Sequence, residues 1–273
     1  MIYISSFNKK LYDATAKAML NSFYKYNPES KFIVYYEDDE LLDDLKSHKN
    51  VVESVNIAES KFLLDWLENN KDIIPKELGG AFSCDCDTSQ QKTDWQQFMG
   101  GHKNLCPAGG FRRRASQWFR KVASWKEACD ELKYGQFVWI DCDTILKKHL
   151  SDWVIDQALL RCPIRFHYGI LRRSLKEQRG ALTGIESGIV MFDLDNGGEK
   201  VIKYIEDQFV SGKFRDQPRW DDAWLLTIAA EHFKWQIKGD LHPKSMTNNP
   251  MDDGPLSEYL DHFKGSHWRE HDV

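Results

Sequence analysis

The sequence predicts an α/β protein with a parallel sheet, and three observations lead there. Residues 2–57 read strand, helix, strand, helix, strand at the spacing of crossover connections. The apolar strand Gln136–Ile140 runs directly into Asp141-Cys142-Asp143-Thr144. Between them, Phe111–Leu132 carries Ala115, Trp118, Val122, Trp125, Cys129 and Leu132 as one apolar stripe at helical spacing.

Each element follows from its own pattern. Residues 2–7 are β-rich and alternate. Residues 11–26 place Leu11, Ala14, Thr15, Ala18, Met19, Ser22 and Phe23 on a helical stripe, which Asn27-Pro28 ends. Lys31–Tyr36 is a continuous apolar strand, Leu41–Leu45 begins a second helix, and Val51–Ile57 is a third strand. Later strands are expected near Ile164–His167, Ser187–Phe192 and Trp235–Ile237, with helices from about Glu199 to Phe209 and from Asp221 to Phe233. The polar stretch 72–110, punctuated by three Gly-Gly pairs, reads as an insertion over one face of the sheet.

Composition sets the outer bounds. A chain of 273 residues, 41% hydrophobic and 29% charged, buries a real core, and we expect a single domain spanning 1–273 with the inserted region at 72–110. The net charge of −5 argues against a globally basic nucleic-acid binder. The six cysteines fit neither a zinc ribbon nor a disulfide framework, so reduced thiols and a cytoplasmic location are expected. No window approaches the ~18 apolar residues of a membrane span.

The acidic pair is the most informative feature. Residues i and i+2 of a strand point the same way, so Asp141 and Asp143 converge at the strand's carboxyl end, where open α/β sheets bind ligands. Two carboxylates there suit a hard divalent cation, Mn²⁺ or Mg²⁺, of the kind that bridges the phosphates of a nucleotide-sugar. Two other Asp-x-Asp triplets lack this context. Asp85-Cys86-Asp87 follows no strand, and Asp193-Leu194-Asp195 leads into a helix that Asp195 or Asn196 is expected to cap. Near the end of the chain, His262-Phe263-Lys264-Gly265-Ser266-His267-Trp268 offers an imidazole to complete the metal site, a glycine for close backbone approach to phosphate, and basic groups.

These patches, in this order, resemble a GT-A glycosyltransferase, most of all the glycogenin and bacterial lipopolysaccharide galactosyl- and glucosyltransferase type. The similar segments are Tyr3-Ile4-Ser5-Ser6; Arg120–Trp125 followed by Phe137–Thr144; Glu186-Ser187-Gly188-Ile189-Val190-Met191; Trp220–Leu225; and His262-Phe263-x-Gly265. The resemblance implies a Rossmann-like, mostly parallel sheet and a metal held by Asp141, Asp143 and His262. It implies donor contacts from Tyr3, Ser5, Ser6, Lys121, Asp141, Ser187, Gly188, Gly265 and His267. It places Lys121 on the donor phosphate or sugar, and Glu186, Asp221 and Asp222 near the reacting groups; Asp221 and Asp222 read equally as carboxylates that cap the helix they begin. The chain differs from the family in having Glu186 where Asn is usual and Trp268 where a phosphate-binding Lys is usual.

The activity so implied is metal-dependent transfer of a sugar from a nucleotide-sugar, a UDP-sugar in the first instance, with retention. The expected partners are that donor and a soluble oligosaccharide or protein acceptor. Three alternatives stay open on sequence: transfer to hydroxymethylated DNA bases, suggested by Arg112–Arg114 and the basic residues 172–179; a metal-dependent hydrolase or nucleotidyltransferase; and a non-catalytic binding module.

Overall fold

Alternation along the strands decides how the chain layers. In the central strands both odd and even residues are apolar, so helices must cover both faces of the sheet. The computed structural model, which describes residues 1–73, 115–152, 154–155, 164–168, 185–217, 219–233 and 256–263, shows this arrangement.

The chain begins with β1 (Ile2–Phe7) and a helical stretch made of α1 (Lys9–Leu11), one π turn (Tyr12–Ala16) and α2 (Lys17–Tyr26). There follow β2 (Lys31–Tyr36), α3 (Leu41–Ser47), β3 (Val51–Asn56) and α4 (Lys61–Asn69). The next elements are α5 (Ala115–Leu132), β4 (Gln136–Ile140), β5 (Thr144–Leu146), β6 (Ile164–Tyr168) and β7 (Ile185–Asp193). The last are α6 (Gly198–Val210), α7 (Asp222–His232) and β8 (Leu260–His262).

The main sheet has the order β3-β2-β1-β4-β7-β6, and β5 pairs with β8 in a separate two-stranded sheet. Strands β3, β2, β1 and β4 are mutually parallel, β7 is antiparallel to β4, and β6 is antiparallel to β7. Five of the six strands thus share one direction, and β7 alone is reversed.

The two faces carry separate cores. On one, Ile4, Tyr35, Phe137, Trp139 and Phe192 meet α4 through α7. On the other, Tyr3, Phe32, Val138 and Met191 meet α2, α3 and the β5–β8 pair. Leu20 and Phe23 of α2 are wholly buried, and each such side chain contributes about 1.5–3 kcal/mol. Helix α7 is apolar on all sides, as a helix buried in the core must be.

The expected elements stand, with three differences. Helix α4 was not anticipated, although Ser60 caps it by accepting from the Leu63 N–H. The three-residue strands β5 and β8 are also additions. Neither Asp195 nor Asn196 caps α6: Gly197 stands at that position, while Asp195 accepts from the Gly135 N–H and Asn196 donates to Asp193. The strand expected near Trp235–Ile237, the triplet Asp85-Cys86-Asp87, the arginines 112–114, the basic residues 172–179 and nearly all of the 72–110 insertion lie outside the described residues.

Candidate active site

Strand β4 carries Phe137, Trp139 and, just past its end, Asp141 on the face that α5 covers. Neighbours on both sides hold that strand end. The Asp141 N–H donates to the Gly188 carbonyl of β7 (2.8 Å), and Ser5 Oγ of β1 donates to the Ile140 carbonyl (2.8 Å). On the opposite face, Thr15 of the π turn brings its Oγ1 within 3.7 Å of Cys142 Sγ, so that turn packs under the centre of the acidic triplet.

The β5–β8 pair explains how the distant imidazole arrives. Its register sets Thr144 against His262, and the Phe263 N–H donates to the Asp143 carbonyl (2.9 Å). The residue after the acidic pair is thus paired with the histidine itself. His262 is 5% exposed, with Nε2 3.0 Å from Asp143 Oδ1 and 3.7 Å from Asp141 Oδ2. One ligand atom from each of Asp141, Asp143 and His262 lies within 4.8 Å of the others. Two carboxylates and an imidazole turned toward a common point form a donor set that fits Mn²⁺ or Mg²⁺. Among the described residues this is the one such group.

Beside it stands a buried ammonium. Lys121 Nζ lies 2.7 Å from Asp141 Oδ1, 2.7 Å from the Ser187 carbonyl and 3.0 Å from Asp222 Oδ2. It also sits over the rings of Trp139 (4.9 Å) and Trp125 (5.7 Å), a favourable place for a cation. Burial works against the charged form of Lys121, but Asp141 and Asp222 outweigh it and hold its pKa above the ordinary value. Burial also raises Asp141, yet Lys121 and His262 prevail and keep it below the usual carboxylate range. Asp222 goes the other way: burial, with Asp221 and Asp141 nearby, keeps it raised despite Lys121 and a hydrogen bond with Ser187.

No protein-family model matches this sequence, and no curated protein matches it. Solved structures do. The galactosyltransferase LgtC, in complex with donor and acceptor sugar analogues, aligns over 97% of this chain and 88% of its own, with a TM-score of 0.52 at 11% identity. The chain has the GT-A fold. Mouse xyloside xylosyltransferase 1, in its apo form, aligns over 86% of this chain and 83% of its own, with a TM-score of 0.47 at 11% identity.

Within this GT-A fold the structure brings together Asp141, Asp143, His262, Lys121, Asp222, Ser187 and the Gly188 backbone. Ser6 is half-buried at the end of β1. Continuing the β1–β4 register by two residues sets it level with Asp141 and on the same face. Glu186 lies on β7, opposite His167 in register. Gly265 and His267 lie outside the described residues.

Four of the expected site residues have protein partners of their own. Tyr3 faces the core, 1% exposed, stacked on Phe32 and edge-on to Phe23, near the amino end of its strand. Ser5 is wholly buried and ties β1 to β4 instead of facing a ligand. Asp221 takes the helix-capping place. Both of its oxygens accept from the Arg219 guanidinium (2.6 and 2.9 Å), and Oδ1 also accepts from the Trp224 N–H, so it caps α7. Lys121 is held within the protein. An ammonium has three N–H donors, and three protein acceptors surround it.

Sequence reasoning missed Arg219 and the Arg120–Glu37 ion pair (2.7 Å), which joins α5 to the end of β2. An Arg two residues before the Asp of a helix start was the available signal for the first. No local signal marked the second.

Proposed function

We propose that this protein is a metal-dependent glycosyltransferase that takes a sugar from a nucleotide-sugar, a UDP-sugar in our reading, and passes it to an acceptor hydroxyl with retention of anomeric configuration. The observation that carries the reading is the convergence of Asp141, Asp143 and His262 at the carboxyl edge of a GT-A sheet. Asp141, Asp143 and His262 would hold Mn²⁺ or Mg²⁺, which when bound offsets negative charge on a diphosphate. Lys121 fixes Asp141 and Asp222 relative to each other and places a positive charge beside the leaving-group site, an electrostatic contribution that needs no direct contact. Ser6 is assigned to the nucleoside end, and Gly188 to the sugar. Asp222 is assigned to a sugar hydroxyl. The acceptor is taken to be a soluble oligosaccharide or protein, and among the described residues no helix is long and apolar enough to cross a membrane.

The test is a panel of nucleotide-sugars assayed for release of the nucleoside diphosphate with Mn²⁺, with Mg²⁺ and with chelator. Release that needs the ion, and falls at least about 100-fold in Asp143→Ala and His262→Ala, is expected if ion and ligands stabilise the charge developing on the leaving group. Undiminished release with chelator, or full activity in Asp143→Ala, overturns the proposal. The anomeric proton of the product, read by NMR, decides retention.

A further inference from the structure

We propose that Trp139 is a positioning residue of the metal site, whose indole N–H holds one oxygen of Asp141 and thereby leaves the other turned toward the ion. The proposal rests on reading Asp141, Asp143 and His262 as metal ligands, and its test separates the two ideas.

Trp139 stands two residues before Asp141, on the same face of β4. It is 3% exposed, and its Nε1–H donates to Asp141 Oδ1 at 2.7 Å. The same oxygen receives Lys121 Nζ at 2.7 Å, whereas Oδ2 is the oxygen nearer His262, at 3.7 Å from Nε2. The two carboxylate oxygens therefore have different work. Oδ1 is committed to two donors within the protein, and Oδ2 faces the metal ligands. A carboxylate without such donors is free to rotate and present either oxygen, at a cost in order each time an ion binds. The indole donor is uncharged, so it supplies this restraint whatever the state of the neighbouring charges.

Packing alone does not ask for an indole at this place. Phe137, two residues earlier on the same face, fills its part of that core with a plain ring. The nearby Trp125 shows the contrast: it is wholly buried, meets Trp139 edge-on at 6.0 Å, and its Nε1 has no hydrogen-bond partner among the described residues. Both rings lie under the Lys121 ammonium, but only that of Trp139 also reaches a metal ligand. Partners of metal ligands of this kind are worth about 10–100-fold in metal affinity.

The experiment measures Mn²⁺ binding to the full chain without nucleotide, by the loss of the free-ion EPR signal, for the wild type, Trp139→Phe and Trp125→Phe. Trp139→Phe keeps an aromatic ring and deletes the donor, and should bind Mn²⁺ about 10–100-fold more weakly. Trp125→Phe thins the packing under Lys121 without touching Asp141, and should stay within about threefold of wild type, since it removes no partner of a ligand. A wild type that does not bind Mn²⁺ overturns the metal reading and this proposal with it. A wild type that binds, with Trp139→Phe unchanged or both variants equally weakened, overturns this proposal alone. Should Trp139→Phe fail to fold, the wild type still decides. The Trp139 indole proton, assigned by triple-resonance NMR, should shift on titration with diamagnetic Mg²⁺, and an unmoved resonance at saturating Mg²⁺ refutes the coupling.

Discussion

Replacing Lys121 by Met is the sharpest perturbation this site allows. Met keeps an unbranched stem and removes the ammonium that sits over Trp125 and Trp139. That leaves Asp141 and Asp222 without the cation at 2.7 and 3.0 Å, and Asp222 is 2% exposed. Removing one partner of a buried ion pair costs about 3–5 kcal/mol. For a chain of this size that is a fall in Tm of about 6–20 °C, at about 2–4 °C per kcal/mol. The sign with pH follows from Asp222, whose pKa burial already raises. Without Lys121 it holds its proton more tightly, while the unfolded chain still releases that proton near the ordinary value of about 3.9. The variant's native state therefore binds more protons than its unfolded state, so its stability falls as pH rises. The gap to wild type should be widest at pH 8 and narrow toward pH 5. Adding Asp222→Asn to Lys121→Met should recover part of the loss at pH 8. Thermal melts followed by circular dichroism across that range read all of this. A gap below about 1 kcal/mol, the size of an exposed pair, or one that does not change with pH, refutes the argument that Lys121 is a buried charge between two carboxylates.

Three more outcomes follow from other parts of the fold. Arg219→Met leaves Asp221 buried and uncompensated, so urea unfolding should show a loss of about 3–5 kcal/mol, and adding Asp221→Asn, which keeps a good capping side chain, should return much of it. Partial burial, a hydrogen bond that protonated Glu131 donates to Glu53, and the charges of Glu53 and Glu127 push Glu131 up to about 7 from 4.5. Its native form keeps a proton that the unfolded chain has lost in that window, so stability declines as pH rises through it; Glu131→Gln should flatten the decline, by less than about 1 kcal/mol because the group is exposed, as Tm measured from pH 5 to 8 will show. At Gly198 a Cβ would meet the Asp193 carbonyl oxygen at 2.7 Å and its backbone carbon and nitrogen at 2.9 Å, so Gly198→Ala should cost about 1–3 kcal/mol in the same unfolding assay, since backbone atoms cannot step aside.

Much of the scaffold was legible because the sheet interior is written in apolar runs. Lys31–Tyr36 and Gln136–Ile140 occupy the spans that their patterns predict, as both faces of those strands are buried. The Asp141, Asp143 and His262 trio was legible for a related reason, since a strand end fixes where its last side chains go. What was not legible depends on which way a residue faces and on what else lies within reach. Tyr3 and Ser6 sit on the same short strand, yet one is core and the other borders the site, because they fall on opposite faces. The three acceptors around Lys121 could not be foreseen, since two of them come from chain segments 66 and 101 residues away. The β5–β8 pair was hidden because three residues carry no periodicity, although it is this pair that delivers His262.

The charges at the site support one further step of reasoning. Lys121 contributes a single positive charge, against the carboxylates of Asp141, Asp143 and Asp222 that lie on it or on one another. Arg219 and Asp221 neutralise each other a residue away and alter nothing in that balance. Among the described residues these three carboxylates outnumber the one ammonium, in a place that is partly closed to solvent. Such a surplus is costly in a low-dielectric setting, and protons or a cation must reduce it. Asp222 has its pKa raised, chiefly by burial, whereas Lys121 and, in its charged form, His262 lower that of Asp141 against burial. The carboxylate held in its charged form is thus the one turned toward Asp143 and the imidazole. In the function proposed above, a divalent ion would bring the matching charge to that position.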